Sequence, residues 1–411
     1  MRHQLVWICL VLAGASLCGC KSEPAMGEEG GPCYGNGTCN AGLFCASNLC
    51  VKLPGVDFRL PPGFDAWPFD SGLQKDQGQV VPLQGDQVDL LFVVDNSQSM
   101  GDEQVRLGYE FPALLNALKH SKFKVQLPSL HIGVVTTDLG AGNYGLGGCE
   151  TVGGDAGKLQ NKPSSSSCTA PTNPWITLKD GTTNVPGTGG VVERVTAAFK
   201  CIVKVGIQGC GFEQPLEAAR KALSAGTNPG FLRQKSLVVV VFISDEDDCS
   251  ASDPKLYDNS QQGLYDPLGP HTSFRCFEFG VTCTCPGGPC TRTTRGPRTN
   301  CKPDENSKYM HKVSGYTSFF RGLRPHGQVI LASLGGPTNS VVVDMDGTIP
   351  TLKPSCYTKL GDEGAVPAIR IAALVDAFRY GRPLNDTICS VSDSTMFKAL
   401  GQLIVERLQV K

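Results

Sequence analysis

Charge is scarce in this chain, and it is balanced. Only 18% of the 411 residues are charged, 37 Lys and Arg against 38 Asp and Glu, for a net charge of −1. No basic block stands anywhere along it, which excludes nucleic acid as a partner, because phosphate binding needs clustered Lys and Arg. Histidine is also rare, and none of the six has a paired spacing, so core or surface roles are their default. The chain lacks H-E-x-x-H, G-x-S-x-G and a Walker loop, and with them the common signatures of metalloproteases, serine hydrolases and nucleotide hydrolases. The expectation is a protein that is not an enzyme. The apolar run Leu5–Leu17 is too short to span a bilayer comfortably, for which roughly 20 residues are needed. No internal repeat is detectable.

What the chain has in abundance is glycine (49), proline (28) and cysteine (19). Arg2 and His3 precede the apolar run, as in an export signal. The run ends in LCGC, residues 17–20. This resembles the lipobox of bacterial lipoproteins, with a branched residue three places before an obligatory Cys. The resemblance implies a signal peptide over residues 1–19, cleavage after Gly19 and a lipid on Cys20 that anchors the chain to a membrane. Lys21, where Asp would favour inner-membrane retention, implies the outer membrane of a bacterial envelope. The alternative is an ordinary signal peptide cut near Ala15 or Gly19. Of the 19 cysteines, Cys9 and Cys18 leave with the signal and Cys20 takes the lipid; 16 remain. That even number suits a fully disulfide-bonded exported protein.

Residues 20–32 are polar and Gly-rich and suit a flexible tether. Residues 33–51 carry Cys33, Cys39, Cys45 and Cys50 among few apolar residues, so disulfides must hold them. They resemble the small Cys-rich modules, Dickkopf-like or EGF-like, found after lipoboxes in bacterial surface proteins. A four-cysteine zinc site is the alternative, but the tight C-x2-C pairs of zinc knuckles are missing. Residues 52–84, with five prolines between Pro54 and Pro82, read as a linker.

From residue 85 to 411 the pattern is α/β. QVDLLFVVD (87–95), LHIGVVTTD (130–138), SLVVVVFISD (236–245) and GQVILASLGG (327–336) are apolar runs of strand length, as strands covered on both faces require. Leu107, Phe111, Leu114, Leu115 and Leu118 recur at helical spacing, with Pro112 inside the pattern, so the helix kinks or starts twice. Further helices are expected near 191–204, from Glu213 with Pro215 in the first turn, near 307–323, and at the C-terminus behind a Ser392 or Asp393 cap. Alternating strands and helices imply a doubly wound, mostly parallel sheet flanked by helices. Residues 139–190 and 246–306 read as insertions. The first has a hairpin turn at Asp180–Gly181, and the second carries six cysteines. Cys283, Cys285, Cys290 and Cys301 would suit zinc in a reducing cell, and disulfides in an exported protein.

Asp95 and Asp245 each end a very apolar strand. Both should project into the crevice beyond the strands' carboxyl ends, where open α/β sheets bind ligands. Two carboxylates there repel each other unless a cation intervenes. Ser97 and Ser99 can turn inward from one loop as neutral oxygen ligands, and Mg²⁺ takes oxygens while keeping several waters. With these residues in place, 88–411 resembles a von Willebrand factor A domain. DNSQS matches that family's metal-ion-dependent adhesion site, D-x-S-x-S, and VFISD matches its V-x-I-T-D strand end. The resemblance implies that Ser97 and Ser99 bind the metal directly, that Asp95 helps through water, and that Asp245 contributes from the later strand. It also implies a protein ligand that offers an acidic side chain to the open coordination position. One element departs. The family uses a Thr in the loop before its third major helix, and here GIQGCGFEQPLEAARKAL (206–223) has none. Glu213 is the substitute. Its carboxylate would favour Ca²⁺, or take the vertex meant for the ligand's acid; Mn²⁺ is a further option. Thr136 and Thr137, which end the preceding strand, are weaker candidates.

Blander readings stand beside these. Asp95–Ser99 could be a helix cap with no metal. Glu246, Asp247 and Asp248 read as a solvated loop, or as holders of a second cation. The function expected is cation-dependent protein binding or adhesion. The alternatives are a structural or assembly protein of the envelope with a dead metal site, and a metal-dependent hydrolase. Against the last, Ser97 stands where a dehalogenase-like phosphatase would need a second Asp.

Overall fold

The computed structural model describes residues 83–409 apart from 120–126, 163–167, 359–363, 381–383 and 391, together with the strand pair at 44–46 and 49–51 and residues 25, 28 and 40. The signal segment with Cys20, and nearly all of the tether and the Pro-rich linker, lie outside the described residues. The chain forms two compact units, Met1–Asp70 and Ser71–Lys411. In the first, β1 (Phe44–Ala46) and β2 (Leu49–Val51) make an antiparallel hairpin with Cys45 opposite Cys50.

The second unit is mixed α/β. It runs β3 (Leu83–Gln84), β4 (Gln87–Val94), α1 (Gly101–Leu118), β5 (Ser129–Thr136), β6 (Ile176–Lys179), β7 (Thr182–Thr183), α2 (Val191–Ile202), α3 (Pro215–Leu223) and β8 (Leu237–Ile243). Then come α4 (Phe274–Gly280), β9 (Val281–Thr284), β10 (Gly296–Pro303), α5 (Val313–Leu323), β11 (Val329–Gly335), β12 (Val341–Asp346) and β13 (Ile349–Leu352). It closes with β14 (Cys356–Tyr357), β15 (Gly364–Ala365), α6 (Ile369–Asp376), β16 (Asn385–Thr387), α7 (Ser394–Arg407) and β17 (Leu408–Gln409), which pairs with β3. The central sheet has the order β16-β11-β8-β4-β5-β6-β7; its first five strands are parallel and β6 and β7 antiparallel.

The apolar runs become buried strands because helices cover both faces. Phe92 on β4 meets Phe111 of α1, Phe199 of α2 and Phe397 of α7, with ring centroids 4.8–6.3 Å away. Phe242 on β8 is in register with Val93, so it points to the other face, and there it meets Phe320 of α5. All seven residues of β8 are buried, as a strand covered on both faces requires.

Several expectations need correction. The helix does not start twice at Pro112: α1 continues from Gly101 to Leu118. Burial of Leu107, Phe111, Leu114, Leu115 and Leu118 along one stripe outweighs the one backbone bond that proline removes. The first insertion is not wholly outside the sheet. Its hairpin turns at Asp180 (φ 49°) and Gly181 (φ 70°), the pair of positive angles a type I′ turn demands, and adds β6 and β7 to the edge of β5. The helix expected from 307 begins at Val313. The C-terminal helix has Asp393 before it, but that carboxylate pairs with Arg106 instead of capping, and Ser392 Oγ accepts from the Ser394 N–H.

The cysteines among 149–389 form six disulfides: 149–210, 168–201, 249–276, 283–301, 285–290 and 356–389. The two insertions share one small core, in which Ala141 and Leu146 from the first meet Phe212, Leu256 and Tyr257. Strands β9, β10, β12 and β13 make a second, four-stranded antiparallel sheet over α4. The irregular stretch 256–270 is ordered by Arg275, which is buried and donates to the carbonyls of Leu256, Asp258, Gln261, Gly269 and Pro270.

Candidate functional site

Strand order reverses around β4. The chain leaves β4 for β5 on one side and later places β8 on the other. The crevice beyond the carboxyl ends of β4 and β8 is therefore the switch point at which such sheets bind ligands. Asp95 follows β4 directly, and Ser244 and Asp245 follow β8. The ladder extends one step further, with the Asp95 N–H donating to Ile243 O at 2.9 Å.

Asp95 is fully buried. Its Oδ1 accepts the Ser97 N–H at 2.7 Å, which folds the loop back on itself. Its Oδ2 accepts Ser244 Oγ–H at 2.6 Å. Ser97 Oγ and Ser99 Oγ lie 3.3 Å apart, so both hydroxyls of the DNSQS loop turn to one place. The short 3-10 turn that follows has no side-chain cap from Ser97. The helix-cap reading of Asp95–Ser99 is therefore not what these side chains do. Gln104 ties the loop down from α1, donating through Nε2 to Asp95 O at 2.9 Å and to Gly206 O at 2.7 Å. The Gly209 N–H donates to Asn96 O at 2.8 Å, and a Cβ at Gly209 would strike the Asn96 side chain. Disulfide Cys149–Cys210 secures the same segment.

Glu213 precedes α3 and is buried beside this group. Its backbone is held on both sides. Glu213 O accepts the Cys249 N–H at 2.7 Å, and the next residue, Gln214, donates its N–H to Thr137 O at 3.0 Å. Glu213 Oε2 is buried with no hydrogen-bond partner. Burial, then the charges of Glu246, Asp95 and Asp245, hold the Glu213 carboxyl well above the usual carboxylate range. Asp95 is pushed up to about 7 by burial and by Asp245, and Glu246 to about 7 by burial, Asp245 and Asp95. The predicted residues Asp95, Ser97, Ser99, Asp245 and Glu213 thus lie in one region, and its carboxylates raise one another. Cys20 lies outside the described residues.

The donor set is hard oxygen throughout, the chemistry of Mg²⁺, Ca²⁺ or Mn²⁺ rather than of a soft metal. Among the described residues no three His, Cys, Asp or Glu side chains form a metal cage by themselves. A cation here would draw on hydroxyls, which Ser97 and Ser99 offer. Mutually repelling carboxylates and an orphaned, buried Glu213 oxygen fit a divalent ion.

For Asp247 and Asp248 the solvated-loop and second-cation readings give way to structural roles. Asp247 caps α6, accepting the N–H groups of Arg370 and Ile371 at 3.0–3.2 Å. Asp248 caps α3 through Leu216 N–H at 3.1 Å and forms a fully buried ion pair with Arg370 at 3.1 Å. Sequence reasoning also passed over Ser244 and Gln104. Ser244 was findable as the hydroxyl next to Asp245 in VFISD, whereas Gln104 carries no local signal. Asn385, although in an N-x-T sequon, has its amide Nδ2 donating to Ala372 O and Asp376 Oδ1.

No protein-family model matches the chain, and no curated protein matches it. Among solved structures, the vWF domain of the type V pili tip protein Mfa5 from Porphyromonas gingivalis gives a TM-score of 0.32 at 12% identity, covering 80% of this chain and 98% of that one. The pilus adhesin SpaC from Lactobacillus rhamnosus GG, in its open conformation, gives 0.33 at 11%, covering 80% and 31%. Proximal thread matrix protein 1 from the mussel byssus gives 0.31 at 8%, covering 80% and 49%. This chain therefore spans less than half the length of the last two. At TM-scores of this size the likeness fixes neither family nor site.

Proposed function

We propose that the second unit is a doubly wound, von Willebrand factor A-like binding module that grips a protein partner through a divalent cation. The observation that carries this reading is the convergence of the Ser97 and Ser99 hydroxyls beside buried Asp95, with Asp245 and Glu213 around them. Ser97 and Ser99 would hold the ion directly. Asp95 and Asp245 would balance its charge, Asp95 through water. Glu213 would close the buried side. The ion would supply Lewis-acidic charge, suited to a carboxylate from the partner.

The export signal and LCGC favour a lipid on Cys20 and a place on the bacterial envelope, with the outer membrane as the reading of Lys21. The six disulfides agree with an oxidising compartment. No described helix is long and apolar enough to cross a membrane. Calorimetric titration of the full mature chain with Mg²⁺, Ca²⁺ and Mn²⁺ tests the reading. Saturable binding is expected, and Ser97→Ala with Ser99→Ala should weaken it by roughly 10–100-fold. Equal binding by the double variant would remove the site; no binding by the natural chain would leave a structural or assembly role.

A further inference from the structure

We propose that Thr137 is a ligand-bearing residue of the cation site, with its Oγ1 completing the coordination from the buried side; this rests on the cation reading above. Thr137 is completely buried, and its Oγ1 has no hydrogen-bond partner. An unpaired buried hydroxyl costs about 1–3 kcal/mol, so such groups call for an explanation. Position supplies one. In the β4–β5 ladder Val94 pairs with Thr136, so the next step sets Thr137 beside Asp95. In the β4–β8 ladder Val94 pairs with Ile243, so the same step sets Ser244 on the other flank of Asp95. Ser244 does reach the Asp95 carboxylate, so the side-by-side arrangement continues past the last ladder pair on that flank.

The loop that bears Glu213 is pinned to the same residue. Thr137 O accepts the Gln214 N–H, which brings the segment just before α3 against the end of β5. Glu213 Oε2, one residue before that bond, is likewise buried and unpaired. Two orphaned buried oxygens thus stand on segments joined by one backbone bond, at the end of the strand that flanks Asp95. A small hard cation would satisfy both at once. Thr136 is not the ligand: its Oγ1 already donates to Asp155 Oδ2 at 2.6 Å.

The test uses the full mature chain, with Mg²⁺ and Mn²⁺ as probes, and compares Thr137→Val, which replaces the hydroxyl by a methyl, with Thr137→Ser, which keeps it. Each is titrated by calorimetry and melted in EDTA. The expected result has three parts. Thr137→Val binds roughly tenfold or more weakly. Thr137→Ser stays close to the natural chain. In EDTA, Thr137→Val melts at the same or a higher temperature, because it removes an unsatisfied group. Natural affinity in Thr137→Val would overturn the assignment, and so would equal weakness in Thr137→Ser. A lower melting temperature of Thr137→Val in EDTA would assign the hydroxyl a structural role instead. If the natural chain itself binds neither ion, the cation reading fails first, and that outcome is separate from the other three.

Discussion

Asp95 lies one residue beyond β4, out of reach of solvent, and its burial and the charge of Asp245 push its carboxyl up to about 7. Unfolded, the same carboxyl releases its proton near pH 4. Between these values the folded, cation-free chain holds a proton that the unfolded chain has shed. Its contribution to stability is therefore greatest at the acid end and is lost as pH rises through about 7. Glu246, raised to about 7, and Asp247, raised to about 6, act with the same sign. In EDTA the melting temperature should fall between about pH 4 and about pH 7. Asp95→Asn should flatten that fall, raise stability at the alkaline end by on the order of 1–3 kcal/mol, and abolish cation binding. Thermal unfolding across pH, with and without Mg²⁺, checks all three, and the stabilisation by Mg²⁺ should grow with pH as the carboxylates ionise. The candidate residues Asp95, Ser97, Ser99 and Asp245 were legible because each follows a very apolar strand at a recognisable spacing. Thr136 and Thr137 stood together as weaker candidates, being chemically identical in sequence, and only hydrogen bonding tells them apart.

Helices α3 and α6 start against the segment that follows β8. Asp248 caps α3 and Asp247 caps α6, while Arg370 in the first turn of α6 pairs with Asp248 where neither side chain meets solvent. Arg370 also donates to His311 O at 2.7 Å. Removing one partner strands the other's charge, so Asp248→Ala should cost about 3–5 kcal/mol in urea unfolding. Asp248→Leu combined with Arg370→Met should cost less than either single change, and a double-mutant cycle measures the difference. The major strands were readable as long apolar runs, since both faces are covered. β12 and β13 were passed over. β12 buries alternate residues only, and β13 is short, so neither shows a continuous run. β12 pairs with β10 at Arg298–Val341, 43 residues away in sequence by those two numbers, and no local pattern reports such a partner.

Among the described residues, the disulfides close loops of very different length. Cys149–Cys210 closes a separation of 61 residues and Cys285–Cys290 one of 5. By loop-closure entropy the first should stabilise by about 4 kcal/mol and the second by about 2 kcal/mol. Paired Cys→Ala variants measured by denaturant unfolding should keep that order. Only loss of Cys149–Cys210 should also weaken cation binding, because it frees the segment packed on Asn96. The sequence by itself determined the α/β class, the major strands, the type I′ hairpin and the grouping of carboxylates and hydroxyls at strand ends. Apolar runs, turn residues and spacing are local quantities, and one chain carries them in full. Only the tertiary structure decided which cysteines pair, that the insertions share a core, that Asp247 and Asp248 serve as caps, and which oxygens are buried without partners. Those depend on which distant segments meet, and every such contact is absent until the chain has folded.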